Sequence, residues 1–160
     1  MSQSASIPTN TAPFAALSSA HTTLLEAKAK KGLTFDAIGK AIGKDEVWVA
    51  SAFYGQAKLS AEDIQKLSQL LEIPQDPTLG EHWFPYRGIG SPVPTDPVVY
   101  RLYEGVMVYG HPIKAIINEK FGDGIMSMID CSVKVDKKPD PKGDRVVLTF
   151  DGKFLPYAKW

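Results

Sequence analysis

The chain has 160 residues, of which 44% are hydrophobic and 22% are charged, and 18 cationic side chains balance 18 anionic ones to give a formal net charge of zero. A chain of this length can form one domain or two small ones with a buried core. The neutral charge argues against a general binder of the nucleic-acid backbone, which needs a basic surplus, and no apolar run reaches the length of a transmembrane helix. We therefore expect neither nucleic acid nor a membrane among the partners.

The N-terminal segment 1–18 is rich in Ser, Thr, Pro and Ala, a composition typical of a disordered tail. It lacks the positively charged start of a signal peptide and the arginines of a transit peptide. The single cysteine, Cys131, excludes an intramolecular disulfide and suits a reducing compartment. These features predict a cytoplasmic protein, in which Cys131 is a small buried hydrophobic residue.

Four short helices are predicted between residues 19 and 74, because polar capping residues precede four segments with helical spacing of apolar residues. Glycine ends each of the first three. The capping signals, in chain order, are Ser18 or Ser19, Thr34, Asp45 and the capping box of Ser60 with Asp63. The proline-rich stretch 74–97 that follows predicts an ordered connection without regular structure.

The second and third helices, joined by a glycine turn, form a helix-turn-helix pattern. In a DNA-binding protein the N-terminal half of the third helix would reach the bases. Here that half begins Lys44-Asp45-Glu46, and no Arg, Asn or Gln occurs from Asp45 to Tyr54. We expect a packing scaffold, and the alternative is a helix-turn-helix DNA-binding regulator with a C-terminal dimerisation domain.

A further helix begins at Pro97, capped by Thr95 or Asp96. Gly110 is predicted to end it, and Pro112 to begin another. Between residues 97 and 110 only Arg101 and Glu104 are charged, and their spacing of three makes them neighbours on the helix surface. Such a pair is usually a solvated surface pair, but a helix that is apolar on most faces is buried, which favours a buried pair kept for function.

Strand patterns follow the helix, with Ser127 expected at the mouth of the first strand and Asp151-Gly152 as a hairpin turn. Two or three short strands cannot form a stable sheet alone, so strand pairing between subunits should complete it. The predicted fold class is α+β: a disordered tail (1–18), an all-α bundle with helix-turn-helix-like packing (19–87) and a small α+β dimerisation domain (88–160).

Three strings occur in one order: YRLYE at 100–104, EKFGDGIMS at 119–127 and DGKFLPY at 151–157. In this combination they closely resemble the C-terminal domain of the cyanase family, also called cyanate hydratase or cyanate lyase, and the likeness extends more loosely back to residue 33. The resemblance implies that Arg101, Glu104 and Ser127 are the catalytic residues.

The resemblance further implies an enzyme that joins cyanate to its co-substrate bicarbonate, giving carbamate and carbon dioxide, after which carbamate breaks down to ammonia and carbon dioxide. No metal or organic cofactor is expected. The partners would be the two small anions and further copies of the chain, assembled as a decamer of five dimers with active sites between subunits.

These residue types suit the joining of two anions that repel each other. Arg101 offers a planar cationic fork, and Ser127 a hydroxyl and a backbone N–H beside a glycine-rich turn. Holding both reactants in place then supplies much of the catalysis. For Glu104 two roles stay open, either orienting Arg101 or carrying a proton to the departing nitrogen.

Overall fold

A computed structural model describes residues 17–88 and 92–160. They form two compact units that divide near residue 90. The first contains four α-helices, and the second contains one long α-helix followed by a two-stranded antiparallel sheet. The predicted α+β class is therefore confirmed. The predicted disordered tail (1–18) lies almost wholly outside the described residues.

The four helices of the first unit begin where the capping signals predicted. At each start a side chain (Ser18, Thr34, Asp45 or Ser60) accepts a hydrogen bond from a first-turn backbone N–H, and the capping box of Ser60 and Asp63 is present. The helices are α1 (Ser19–Lys31), α2 (Phe35–Ile42), α3 (Glu46–Phe53) and α4 (Ala61–Leu71).

One hydrophobic core joins these four helices. Ile38, Val49, Phe53 and Leu67 are its largest fully buried side chains. The ring of Phe35 meets the ring of Phe53 edge to face, with centroids 5.5 Å apart. Burying a side chain of this size contributes roughly 1.5–3 kcal/mol to the free energy of unfolding. The buried cluster shows that the first unit has a core of its own.

The N-terminus of α3 is occupied by contacts within the first unit. The Asp45 carboxylate accepts from the backbone N–H of Val47 at 2.8 Å. The Lys44 ammonium lies 5.2 Å from the Trp48 ring centroid and 4.0 Å from an Asp63 carboxylate oxygen. The one cation at this end thus serves packing, in keeping with the predicted scaffold role.

The connection after α4 packs against the first unit, as predicted for an ordered segment, and includes a 3₁₀ turn at Pro77–Leu79. Its Trp83 ring lies 5.0 Å, centroid to centroid, from the ring of buried His21. The Ser18 hydroxyl is 2.7 Å from His21 Nδ1. Burial lowers the pKa of His21, an effect that the negative charge of Asp76 partly opposes.

The second unit begins with α5 (Pro97–Phe121), a single helix of 25 residues capped by the Asp96 carboxylate. The predicted break at Gly110 and restart at Pro112 is wrong, since both residues lie inside the helix. An interior proline costs about 3 kcal/mol. Helix propagation on both sides offsets this, because every added residue gains a hydrogen bond without a new nucleation step.

The sheet is one long hairpin of β1 (Gly124–Lys138) and β2 (Arg145–Pro156). The predicted turn at Asp151-Gly152 is wrong: Gly152 lies within β2, opposite Cys131. The chain reverses instead at residues 139–144, where Gly143 has a φ of 117°. Ser127 likewise lies inside β1 rather than at its mouth.

The second unit leaves most of its apolar side chains exposed in the single chain. No residue of α5 is buried, and among the residues of β1 and β2 only Ser127 is. The Phe121 ring meets the Phe154 ring at 5.3 Å between centroids. None of the described helices is both long and apolar enough to cross a bilayer.

The lowered pKa of His21 predicts a pH-dependent stability. Below about pH 6.5 the unfolded chain takes up a proton that folded His21 resists, so the free energy of unfolding should fall as pH drops, by at most about 1.4 kcal/mol per pH unit. Denaturant unfolding of the full chain between pH 5.5 and 7 measures this slope. His21→Gln should flatten it, whereas His82→Gln, at an exposed position, should not; equal slopes in wild type and His21→Gln would contradict the prediction.

Candidate active site

Arg101 and Glu104 meet on the first half of α5. Their Nη1 and Oε2 atoms are 3.1 Å apart, and the guanidinium lies 5.5 Å from the Tyr100 ring centroid. The expectation of a buried pair is wrong for the single chain, where the two side chains are 70% and 51% exposed. An exposed ion pair of this kind contributes at most about 1 kcal/mol to stability. The guanidinium therefore presents donors that the chain itself leaves largely open.

Ser127 is buried on β1 and its side chain is held by backbone groups. Its Oγ accepts hydrogen bonds from the N–H of Ile129 at 3.0 Å and of Asp130 at 2.9 Å. Both bonds use the oxygen as acceptor. The hydroxyl hydrogen is therefore the part of the group that can be donated to a bound anion.

Ser127 opens a bulge in the hairpin. Met126 pairs with Phe154 and Cys131 pairs with Gly152, so residues 127–130 of β1 lie between two pairings that β2 spans with Lys153 alone. Bulges of this kind re-aim side chains next to active sites. The register of the hairpin sets the bulge at residues 127–130, and the two local hydrogen bonds hold the Ser127 hydroxyl within it.

The three predicted site residues form two groups. Within the described residues, no hydrogen bond or ion pair joins Ser127 to Arg101 or to Glu104. The single chain thus displays the Arg101–Glu104 pair and the Ser127 bulge as separate halves of the predicted site.

An open depression of about 460 Å³ lies beside the bulge. Lys153 supplies its cationic side chain, and Asp130 and Asp151 its carboxylates. Cys131, expected to be buried, is only half-buried there. Among the residues that the structure describes, no cluster of three or more His, Cys, Asp or Glu side chains is arranged to hold a metal ion.

Comparison with known proteins covers both units of the chain. Residues 18–80 match the family model described as cyanate hydratase, N-terminal, and residues 91–159 match the cyanate lyase C-terminal domain. The chain belongs to the cyanate lyase family. The resemblance seen in the sequence is confirmed, and so is the prediction of an enzyme, of the lyase type, over the alternative of a DNA-binding regulator.

Relatives in the cyanate lyase family span nearly the whole chain. A cyanate hydratase of Coprinopsis cinerea is 70% identical over 91% of this chain and 98% of its own. One from Laccaria bicolor is 61% identical over 96% of this chain and 95% of its own. The crystal structure of cyanase from T. urticae is 37% identical, with a TM-score of 0.76 over 86% of this chain and 96% of that one. The fold of this family member is therefore the fold of the cyanases.

The bulge predicts the effect of removing the Ser127 hydroxyl. Ser127→Ala leaves the N–H groups of Ile129 and Asp130 without their acceptor, which should cost about 1–3 kcal/mol of unfolding free energy and speed amide exchange at residues 127–131. Hydrogen exchange followed by mass spectrometry measures the local change. Ser132→Ala, at an exposed position of the same strand, is the control; unchanged exchange in Ser127→Ala would refute the assignment of these bonds.

Proposed function

We propose that this protein decomposes cyanate in a bicarbonate-dependent reaction that yields carbamate and carbon dioxide, the carbamate then giving ammonia and carbon dioxide. The observation that carries the proposal is the 70% identity to a cyanate hydratase over 98% of that protein's length. The presence of Arg101, Glu104 and Ser127 within the strings YRLYE and EKFGDGIMS supports it.

In the proposed reaction a bicarbonate oxygen forms a bond to the cyanate carbon, and the bicarbonate proton passes to nitrogen. The bond between that oxygen and the former bicarbonate carbon then breaks, which releases carbon dioxide. A second proton reaches nitrogen to complete carbamate, and a third accompanies its breakdown to ammonia and carbon dioxide. The intermediate adduct carries two negative charges, so stabilising it requires fixed cations and hydrogen-bond donors.

Arg101 is assigned to neutralising the negative charge of the two anions. Its guanidinium is planar, permanently charged and able to donate two parallel hydrogen bonds to a carboxylate-like group. Its exposure in the single chain supports this role, because its one hydrogen bond among the described residues, from Nη1 to Glu104 at 3.1 Å, leaves the other N–H donors open. Holding both anions against one fork would also bring the reacting atoms together.

Ser127 is assigned as a hydrogen-bond donor to the anions rather than as a nucleophile. The two backbone N–H groups that it accepts from fix its oxygen and leave its hydrogen to donate. Glu104 is assigned first to orienting Arg101, which its 3.1 Å contact supports. Transfer of the second proton to nitrogen is the alternative role for this carboxylate.

We propose that the working particle is an oligomer, a decamer of five dimers, in which Arg101 and Glu104 of one copy meet Ser127 of another. The exposed apolar surface of α5 supports assembly, since no residue of this helix is buried in one chain. The separation of the two groups of site residues supports a shared site. Pairing of strands between subunits would bury the faces of β1 and β2 that the single chain leaves exposed.

Bicarbonate is the second reactant in this proposal, and no cofactor is assigned a role. The lack of a cofactor requirement stays a prediction from the family resemblance, and a cytoplasmic location stays a prediction from the single cysteine and the composition of the N-terminal segment. Ammonia release at fixed cyanate, with and without added bicarbonate, tests the reaction. Initial rates are needed, because the carbon dioxide produced hydrates to bicarbonate and would mask the dependence.

The assignment of Arg101 predicts that Arg101→Lys, which keeps the charge and loses the planar fork, lowers kcat/KM for cyanate by about 100-fold or more. Arg145→Lys, at an exposed position at the start of β2, should leave it unchanged. Circular dichroism and particle size of both variants should match wild type. Retention of nearly full activity in a folded Arg101→Lys would remove Arg101 from the proposed mechanism.

The shared site predicts that activity depends on assembly. Diluting the protein until the oligomer dissociates should abolish ammonia release per chain, and reconcentration should restore it. Light scattering or mass photometry at each concentration reports the particle size. Full activity per chain in a dissociated sample would show that one chain carries a complete site.

A further inference from the structure

Gly152 stands at one end of the bulge that holds Ser127. It lies within β2 and pairs with Cys131, the first residue of β1 to resume the ladder after the bulge. Its sequence context, Asp151-Gly152, is typical of a tight turn, but no turn occurs there. A glycine inside a strand marks either a bulge or a close approach of another backbone.

The space at Gly152 is filled by its neighbours across the hairpin. A Cβ atom built there would lie 2.5 Å from the carbonyl oxygen of Ser127, 2.5 Å from Met126 Cγ and 3.2 Å from Met126 Sδ. Contacts of 2.5 Å are far inside the optimal separation of non-bonded heavy atoms. The φ of Gly152 lies outside the left-handed region, so lack of room, rather than backbone conformation, is what calls for glycine.

The Met126 side chain and the Ser127 carbonyl differ in how easily they could move away from an added Cβ atom. Met126 is a flexible side chain that can adopt another rotamer. The Ser127 carbonyl belongs to the backbone whose bulge sets the Ser127 hydroxyl against the N–H groups of Ile129 and Asp130. Any side chain at position 152 must therefore displace the Ser127 peptide.

We propose that Gly152 is a positioning residue for Ser127: its missing side chain lets β2 approach the Ser127 carbonyl and so fixes the direction in which the Ser127 hydroxyl donates. The catalytic consequence rests on the proposed role of Ser127 in cyanate decomposition. The placement of Ser127 by Gly152 does not depend on that role, and it can be measured without substrate.

The test compares three variants of the full-length protein: Gly152→Ala, Met126→Ala and the double variant. Each is measured for particle size, thermal midpoint, kcat/KM for cyanate and amide exchange at residues 127–131. Thr149→Ala, at an exposed position of β2 opposite Lys134, is the control for a substitution on the same strand away from the bulge.

Gly152→Ala should lower kcat/KM by about 10- to 100-fold, the scale expected for a catalytic group displaced by about 1 Å. Exchange should quicken at residues 127–131 and stay unchanged elsewhere in the chain. Met126→Ala alone should behave like the control. The double variant should be no more active than Gly152→Ala, because truncating Met126 leaves the contact with the Ser127 carbonyl in place.

Wild-type activity and wild-type exchange rates in the double variant would overturn the proposal, since Met126 would then be the obstruction that matters. Wild-type exchange at 127–131 in Gly152→Ala would overturn it too. So would failure of both Gly152 variants to fold, which would assign Gly152 to formation of the hairpin. If wild type releases no ammonia from cyanate, the proposed function fails, and the exchange measurement alone decides the positioning role.

Discussion

The C-terminal unit carries more apolar surface than one chain can bury. Helix α5 runs for 25 residues without a buried one, and β1 and β2 form a sheet of only two strands. A two-stranded hairpin is marginal in water unless a further strand or helix covers it. The N-terminal unit, by contrast, has a closed core around Ile38, Phe53 and Leu67. The first unit thus buries a core of its own, whereas the second leaves apolar surface that the proposed assembly would cover.

The residues of the proposed site lie on these exposed surfaces. Arg101 and Glu104 lie on the exposed helix α5, and Ser127 lies in a bulge of the hairpin, so the surfaces that the proposed assembly would cover also carry the proposed site residues. Assembly would exclude water from a cation and a hydroxyl that one chain leaves apart. In a drier site a fixed guanidinium stabilises a dianionic adduct far better than in water. Packing and catalysis would thus be served by the same association.

Prediction from the sequence was most accurate for features that are decided by contacts between residues close together in the chain. The capping box of Ser60 and Asp63 is a bond between residues three apart, and it was found where expected. Pro112 and Gly152 were assigned wrongly, because helix cooperativity and strand pairing override the local preferences of proline and glycine. The proposed role of Ser127 came from the family resemblance and not from periodicity. Its bulge lies between pairings with Phe154 and Gly152, which are 28 and 21 positions further along the chain than their partners, a register that no local pattern encodes.

A shared active site requires that each site combine residues from two chains. Arg101→Ala and Ser127→Ala proteins, each inactive alone, can be dissociated, mixed and reassembled, with mass spectrometry confirming that the particles are hybrid. If sites are shared, some will combine Arg101 from one chain with Ser127 from another, and bicarbonate-dependent ammonia release should reappear. Hybrid particles that stay as inactive as either parent would mean that each site is built within a single chain.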